Sequence, residues 1–456
     1  PFTKGAFVCP GEGGEMAQMT LEQQLLAGNI SRMVKLVGRM HPADVAEALI
    51  KVPLEKQVAL VTVLLDVMGA LVLQEMALPD EAALLMQLKP EKAAAILTQM
   101  YTDEAADVLA IIPPEDALTL LALMGAKGTQ VKKLLAYESD TSGGLMATEF
   151  ITIQEEQTIE EVLRFLREHT PPESAYYLYV ESKDRRLVGV VSLRTLVTKP
   201  LSAKVKDVMY REVISVPEDM DQEEVAHLFD KYSFLVLPVV DEKEHLLGVI
   251  TLDDVLDVAE EEATEDIHKT ASIIPMKEAY LDAGIWTLFS KRILWLLSLI
   301  LINVVSSQVM ARYEQVLSTA IALTFFIPML IGTGGNTGSQ SAALVVRALV
   351  TGDIQLADWG RVFWKELVVG AVLGFILGLA SSVMGLWRGG PAIGLVVGLT
   401  MVAGGLFSNL LGMLLPFILT RLRIDPTVAS SPLITSICDA AGLVIYFSIA
   451  TLILRF

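Results

Sequence analysis

Hydrophobic and polar positions follow three different patterns along the chain, and the last third is the simplest to interpret. Stretches without a charged residue cover residues 293–310, 316–346, 367–387 and 389–420, and a fifth, 426–454, is interrupted only by Asp439. Because about 20 apolar residues cross a bilayer as a helix, we predict five transmembrane helices. Seven basic residues flank these stretches on one side and three on the other. This bias predicts a cytosolic N-terminus and an external C-terminus.

Residues 42–124 show a different pattern, in which a helix-start signal recurs at steps of roughly 11 or 12 residues. The signals are HPAD, VPLEK, LPDE, KPEK, YTDE and PPED, each combining Pro or Thr with nearby acids. Proline at the first helical position and acids in the first turn are typical of helix N-termini. Apolar residues such as Ala94 and Leu97 follow at helical spacing, which predicts short helices stacked in an array.

The middle of the chain contains an internal duplication. The segments RRLVGVVSLRTL (185–196) and EHLLGVITLDDVL (244–256) match at an offset of 59 residues. Each follows a β-rich run, which in turn follows a helix-like stretch. The sequence therefore predicts two copies of a β–α–β–β–α unit.

The charge distribution separates the two ends of the chain. Residues 1–283 hold 48 acids and 25 bases, and residues 284–456 hold six acids and ten bases, so the front carries −23 and the back +4. An acidic front repels nucleic acid and suits cations, although an acidic surface kept for solubility gives the same balance. The only cysteines, Cys9 and Cys438, exclude a disulfide framework or a cysteine zinc site.

One helix predicted from DDVLDVAEEEATEDIHKTASI is unusually acidic. Neighbouring like charges at helical spacing destabilise a helix, so the acids either form a solvated face or bind cations. The helix leads directly to Lys291 and the first apolar stretch. Carboxylate oxygens with a single histidine suit Mg²⁺ or Ca²⁺ rather than zinc.

The glycine-rich stretch GTGGNTGSQS (332–341) lies inside an apolar run. It lacks the lysine of a P-loop and the spacing of a dinucleotide-binding turn. In a membrane its glycines either allow close helix packing or break the helix, while its amides and hydroxyls face an ion path or the bundle core. Asp439 is the only acid well inside an apolar run, and such groups usually face a cavity or pathway.

The order of these segments, together with GTGGNTGSQS, ATEDIHK and SICDAAGL, resembles the MgtE family of magnesium channels over residues 21–456. The resemblance implies a multidomain fold: an all-α superhelical N domain, α/β tandem CBS domains, a connecting helix and a polytopic α-helical membrane domain with five spans. We place these domains at 21–136, 137–200 and 201–258 (the two CBS domains), 259–288 and 289–456, and leave 1–20 unassigned.

The resemblance also assigns candidate site residues. Asp439 matches the pore aspartate. Pore-lining candidates are Asn336, Thr337, Gln340 and Asn409. Regulatory metal ligands are expected at Asp103, Asp107, Asp221, Glu223, Asp254, Asp257, Glu262, Glu265, Asp266 and Asp425. CBS domains often bind adenosyl nucleotides, and Thr251 with Asp254 fits such a site. The first repeat has Ser192 and Thr195 and no carboxylate, so we expect at most one ATP-type site per chain. A purely structural pair of repeats fits these residues equally well.

The resemblance implies a homodimeric Mg²⁺ channel of the bacterial cytoplasmic membrane, closed by cytosolic Mg²⁺ and without nucleic-acid partners. Two alternatives remain within transport: a less selective pathway for Co²⁺ or Mn²⁺, and a Na⁺-coupled exchanger. A third is a membrane-anchored CBS nucleotide sensor, although an anchor needs no intramembrane Asp439. An enzyme is not expected, because no nucleophile with a base and no cofactor fingerprint occurs.

Overall fold

The computed structural model describes residues 37, 40–64, 68–169, 176–276, 280 and 283–454, so the unassigned stretch 1–20 lies outside the described residues. The chain divides into two compact units, with the boundary between Ala259 and Glu260. The first unit begins with short helices. They are α1 (Pro42–Ile50), α2 (Leu54–Leu64), α3 (Gly69–Leu73), α4 (Leu78–Gln87), α5 (Pro90–Leu97), α6 (Thr102–Ile111), α7 (Pro114–Leu123) and α8 (Ala126–Leu134).

The recurring start signals explain where these helices begin. Proline occupies one of the first two positions of α1, α4, α5 and α7, where its missing N–H costs nothing. In α6 the side chain of Glu104 accepts a hydrogen bond from the Tyr101 N–H at 3.0 Å, which satisfies a donor that the helix leaves unpaired. The predicted helical array is therefore confirmed.

Two three-stranded sheets follow, built in the same way. The segment that forms the first sheet contains, in chain order, α9 (Ser142–Leu145), β1 (Thr152–Gln154), α10 (Ile159–Glu168), β2 (Tyr177–Glu181), β3 (Leu187–Ser192), α11 (Leu193–Thr198) and α12 (Val205–Val208). The second contains β4 (Val216–Pro217), α13 (Gln222–Tyr232), β5 (Val236–Val240), β6 (Leu246–Thr251) and α14 (Leu252–Thr270). The strand order is β1-β2-β3 in the first sheet and β4-β5-β6 in the second. In each sheet the first two strands are parallel and the last two are antiparallel.

The duplication is visible residue by residue in the sheets. Tyr177 of β2 pairs with Ser192 of β3, and Val236 of β5 pairs with Thr251 of β6. Ser192 and Thr251 are 59 positions apart, which is the offset found in the sequence. Both antiparallel pairs also contain an irregularity near the end of β2 or β5. The predicted tandem α/β repeat is confirmed.

The second unit consists of the end of α14 and a set of long apolar helices. The long helices are α15 (Ile285–Arg312), α17 (Ile327–Val350), α18 (Trp359–Arg421) and α19 (Ser431–Leu454), and a short helix, α16 (Glu314–Thr319), follows α15. Segments of 3₁₀ helix cover Ile321–Phe326, Leu356–Asp358 and Pro426–Val428. Within the described residues, four helices are long and apolar enough to cross a membrane.

The helix α18 has 63 residues and is interrupted near its middle. Gly390 has φ of 80°, in the left-handed region, and Pro391 follows it. A Cβ placed on Gly385 would come within 2.7 Å of Gly394, and one on Gly378 within 2.8 Å of the Gly398 carbonyl oxygen. These contacts pair residues before Gly390 with residues after it, so α18 folds back on itself as a helical hairpin. The hairpin supports five spans, and the exact number stays a prediction.

Candidate functional site

The glycine-rich stretch lies on the continuous helix α17, and its glycines serve close packing. A Cβ on Gly338 would meet the Cys438 sulfur at 3.0 Å, and one on Gly335 would meet Thr435 at 2.7 Å. A Cβ on Gly412 would lie 2.1 Å from the Gly338 carbonyl oxygen. Because side chains are missing at these points, α17 approaches the backbone of α18 and the face of α19 near Asp439.

The polar residues of this stretch divide between two faces of α17. Asn336 and Gln340, four residues apart, are exposed in the single chain. Thr337 and Ser341 are buried, and the Thr337 hydroxyl donates to the Thr333 carbonyl oxygen at 2.8 Å. Asn336 and Gln340 are therefore open to water or to another molecule, whereas Thr337 belongs to the packed interior.

Asp439 lies on α19, in the segment that packs against the glycine-rich helix. Its side chain is partly buried, and Oδ1 is inaccessible and has no hydrogen-bond partner in the described part of the chain. A carboxylate oxygen left without a partner in an apolar surrounding is costly, and a cation can compensate it.

The structure adds an acid that sequence reasoning missed. Glu366, near the start of α18, accepts hydrogen bonds on Oε2 from the Asn409 side chain at 2.8 Å and from the Ser341 hydroxyl at 3.1 Å. The Asn409 amide also donates to the Glu366 carbonyl oxygen at 2.8 Å. Glu366 thus links the second arm of the hairpin, through Asn409, to α17, through Ser341. The sequence signal that could have identified Glu366 as a candidate is its place at the edge of an apolar stretch, one position after Lys365.

The end of α14 is fastened to the loop before α19. The Lys269 ammonium contacts Asp425 at 2.5 Å and also pairs with Glu265. Asp425 also accepts hydrogen bonds from the backbone N–H and hydroxyl of Thr427 at 2.8 and 2.6 Å. Burial would raise the pKa of Asp425, but the hydrogen bonds from Lys269 and Thr427 outweigh it and hold that pKa below its usual value.

Asp266 is the acid of this group whose charge is least compensated. Burial, followed by the negative charge of Asp425, raises the pKa of Asp266 to about 6. A cavity of about 580 Å³ lies beside it, lined also by Arg347 and Thr427. Glu262 and Glu265 add smaller repulsive contributions to Asp266. The structure therefore brings four predicted regulatory acids near one another: Asp266, Glu262, Glu265 and Asp425.

A second group of acids lies within the first unit, where α6 meets the start of α14. Asp103 is buried, and its Oδ1 is without a hydrogen-bond partner in the described residues. Burial and then the charge of Asp254 raise the pKa of Asp103 well above its usual value. Burial raises the pKa of Asp254 to about 6, against hydrogen bonds from Thr251 that lower it. Asp103, which is buried, and Asp254, which is partly buried, thus repel each other.

The remaining predicted ligands have other surroundings. Asp221 caps α13 by accepting a hydrogen bond from the Glu223 N–H at 2.8 Å, and Glu223 lies 3.9 Å from the His227 ring. Asp257 is exposed on α14 and contributes to the raised pKa of Asp254. Across the described ranges, no three His, Cys, Asp or Glu side chains are already arranged to hold a metal ion. Ions that bind here would need two carboxylates and water.

The nucleotide candidates form a local pair. The Thr251 hydroxyl and N–H donate to Asp254 Oδ2 at 2.5 and 3.2 Å. In the first repeat the Ser192 and Thr195 hydroxyls are 2.9 Å apart in the corresponding place. The Asp254 carboxylate therefore accepts hydrogen bonds from Thr251 and also repels the Asp103 carboxylate.

Glu81, on α4, is a buried acid that makes the stability of the helical domain depend on pH. It is 3% exposed, and burial with the charges of Glu104 and Asp107 raises its pKa to about 9. A raised pKa favours the protonated folded form, so its contribution is complete below the ordinary value near 4.5. The contribution is lost as pH rises towards 9, by about 1.4 kcal/mol per pH unit.

We expect Glu81→Gln to flatten this pH dependence and to raise the unfolding temperature in Mg²⁺-free alkaline buffer by several degrees. Thermal unfolding of both proteins across a pH series measures the effect. An equal fall in stability of Glu81→Gln and wild type with pH would show that Glu81 is already charged in the folded protein.

Comparison with known proteins agrees with this architecture. The family profile described as "Divalent cation transporter" (MgtE) matches residues 327–449, the "MgtE intracellular N domain" matches 40–140, and "CBS domain" matches 143–201 and 205–261. The crystal structure of "the cytosolic domain of the Mg2+ channel MgtE in complex with ATP" is similar, with a TM-score of 0.51 and 36% identity, over 53% of this chain and 99% of that chain.

Curated relatives extend the similarity into the membrane domain. "Magnesium transporter MgtE" of Thermus thermophilus is 47% identical over 327 residues, which is 72% of this chain and 73% of the relative. The protein of the same name from Enterococcus faecalis is 37% identical over 72% of each chain. The chain belongs to the MgtE family of magnesium transporters.

Proposed function

We propose that this protein carries Mg²⁺ across the membrane along a path lined by Asp439 and the exposed face of α17. Mg²⁺ transport follows from its family. The observation that carries the assignment of the path is the unpartnered buried oxygen of Asp439 on a helix packed against the glycine-rich stretch. Mg²⁺ dehydrates reluctantly, so a path for it should offer a carboxylate and amide oxygens to the hydrated ion. Asn336 and Gln340 supply such amides.

The path is completed, in this proposal, by a second copy of the chain. Asn336 and Gln340 are exposed in the single chain, and α15 has no buried residue within the described part. Polar side chains at membrane depth face protein or water rather than lipid. A homodimer whose axis passes α17 and α19 would enclose both amides and the Asp439 carboxylate. Disulfide cross-linking of the Asn336→Cys protein in the membrane tests this arrangement, and an exclusively monomeric product would contradict it.

Cytosolic Mg²⁺ closes the path, in this proposal, by binding the two groups of acids. Asp103 and Asp254 repel each other, as do Asp266 and Asp425. A divalent cation between two carboxylates replaces this repulsion by attraction. Asp266 lies on the connecting helix, and Asp425, which is bonded to Lys269 of that helix, precedes the last span. An ion between these two acids can therefore change the opening of the path. The N-terminus is then cytosolic, as the basic residues predict.

Uptake into vesicles tests transport itself. Purified protein in liposomes that enclose a fluorescent Mg²⁺ indicator should admit Mg²⁺ down its gradient, and a membrane potential alone should change the rate. Uptake that requires a Na⁺ gradient would favour an exchanger, and equal passage of Co²⁺ and Mn²⁺ would favour a less selective path.

ATP or a related adenine nucleotide binds at the second CBS domain in this proposal. Thr251 and Asp254 are positioned together at the end of β6 and the start of α14, and the relative whose cytosolic domain was crystallised was in complex with ATP. We expect about one nucleotide per chain, and we expect Asp254→Ala to weaken binding at least several-fold. Calorimetry with ATP measures both quantities; two equal sites per chain would contradict the inference drawn from the first repeat. Asp230→Asn, an exposed acid on α13, is the matched control.

A further inference from the structure

Glu81 has an environment that its position in the sequence does not suggest. It follows Pro79 and Asp80 in the first turn of α4, where acids are normally solvated. Instead it is 3% exposed, and its Oε1 is inaccessible and without a hydrogen-bond partner in the described part of the chain. Burying a carboxylate without a partner is costly, so another group is needed to compensate it.

The groups that act on Glu81 are acids of the neighbouring helix. Glu104 and Asp107, three residues apart on α6, both raise the pKa of Glu81. Glu104 already accepts hydrogen bonds from the Gln74 side chain and from the Tyr101 N–H. Asp107 is exposed to solvent. The helix α4 packs against α6. Glu81 on α4 is buried and Asp107 on α6 is exposed, so these facing helices offer an ion one carboxylate in the interior and one at the surface.

We propose that Glu81 and Asp107 together bind one divalent cation, Mg²⁺, between α4 and α6. Mg²⁺ is commonly held by one or two carboxylates and keeps water in its remaining positions, so two acids and a solvent-facing side suffice. The ion supplies the positive charge that the buried oxygen of Glu81 lacks. This site lies wholly within the helical domain, and it rests on the proposed function for the identity of the ion.

Calorimetric titration of Mg²⁺ into the full-length protein in detergent tests the site. Glu81→Gln and Asp107→Asn should each bind one ion fewer per chain than wild type, and the double variant should lose no more than either single variant. Glu81→Asp, which keeps the charge but shortens its reach, should keep the stoichiometry and bind about tenfold more weakly. Glu91→Gln, an exposed acid on α5, is the control and should bind the full number.

The inference is overturned if Glu81→Gln binds the same number of ions with the same affinity as wild type. It is equally overturned if the losses in the two single variants add. Should Glu81→Gln fail to fold, Glu81→Asp decides, because an unchanged affinity there would contradict coordination. Mg²⁺ uptake by vesicles with the wild-type protein separates this inference from the transport proposal. If the wild-type protein takes up Mg²⁺ and Glu81→Gln binds as many ions as wild type, the site alone is refuted. If Glu81→Gln binds one ion fewer and the wild-type protein takes up no Mg²⁺, transport alone is refuted.

Discussion

Asp439→Ala should abolish Mg²⁺ uptake while leaving the protein folded. Asp439 is the acid that lies inside the apolar helix α19, and its Oδ1 is buried without a partner. Removing it takes away the negative charge that attracts a doubly charged hydrated ion within the membrane. Asp439→Asn should lose most divalent flux as well, because it keeps the shape of the side chain and removes the charge. Uptake by liposomes with matched amounts of folded protein is the measurement.

Asp353→Asn provides the matched control for this substitution. Asp353 is an exposed acid in the turn after α17, so its loss removes the same charge from the same unit without touching the packed helices. It should transport Mg²⁺ as wild type does. Wild-type uptake by a well-folded Asp439→Ala protein would mean that the ion path lies elsewhere in the membrane domain.

Neutralising the regulatory acids should leave conduction intact and weaken inhibition by cytosolic Mg²⁺. Two like charges about 4 Å apart in an effective dielectric near 20 repel by roughly 4 kcal/mol before screening. Converting a mostly open population into a mostly closed one needs about 5.5 kcal/mol of differential binding. A few carboxylate pairs acting together can therefore supply the required energy, with a steep dependence on Mg²⁺. Asp103→Asn with Asp254→Asn, and Asp266→Asn with Asp425→Asn, separate the two groups.

The control for both pairs is Asp80→Asn with Glu115→Gln, which removes two exposed acids of the first unit. Inhibition by Mg²⁺ should be unchanged in it. Limited proteolysis near Ala263 gives an independent readout, since the connecting helix should be cut quickly without Mg²⁺ and slowly with it. Cleavage that ignores Mg²⁺ over the millimolar range would mean that the acids of α14 form only a solvated face.

Local signals in the sequence were sufficient for the elements and their order. Proline and acids in the first turn act within a few residues, so the starts of α1, α4, α5 and α7 could be predicted. The repeat was detectable because both copies keep the same spacing through Ser192 and Thr251. Stretches without charge identified the apolar helices, because the bilayer excludes charge along the whole length of a span.

The surroundings of individual acids could not be predicted in this way, because they depend on helices that are distant in the sequence. Glu81 has the local sequence of an exposed helix start, and only the packing of α4 on α6 buries it. The sequence around Glu366 indicates a charge at the membrane interface, beside Lys365. In the structure the Glu366 carboxylate accepts a hydrogen bond from Asn409, 43 positions later. The alternative between close packing and a broken helix at the glycine stretch was likewise decided by contacts between α17, α18 and α19.

Single-channel recording with Mg²⁺ varied on the cytosolic side tests the central claim most directly. Patches containing the wild-type protein should show discrete Mg²⁺ currents that persist at low cytosolic Mg²⁺ and fall steeply as it rises. The variants with neutralised regulatory acids should keep the same unit current and require more Mg²⁺ for closure, and Asp439→Ala should give no current. Currents of unchanged open probability at every cytosolic Mg²⁺ concentration would contradict a path closed by its own ion.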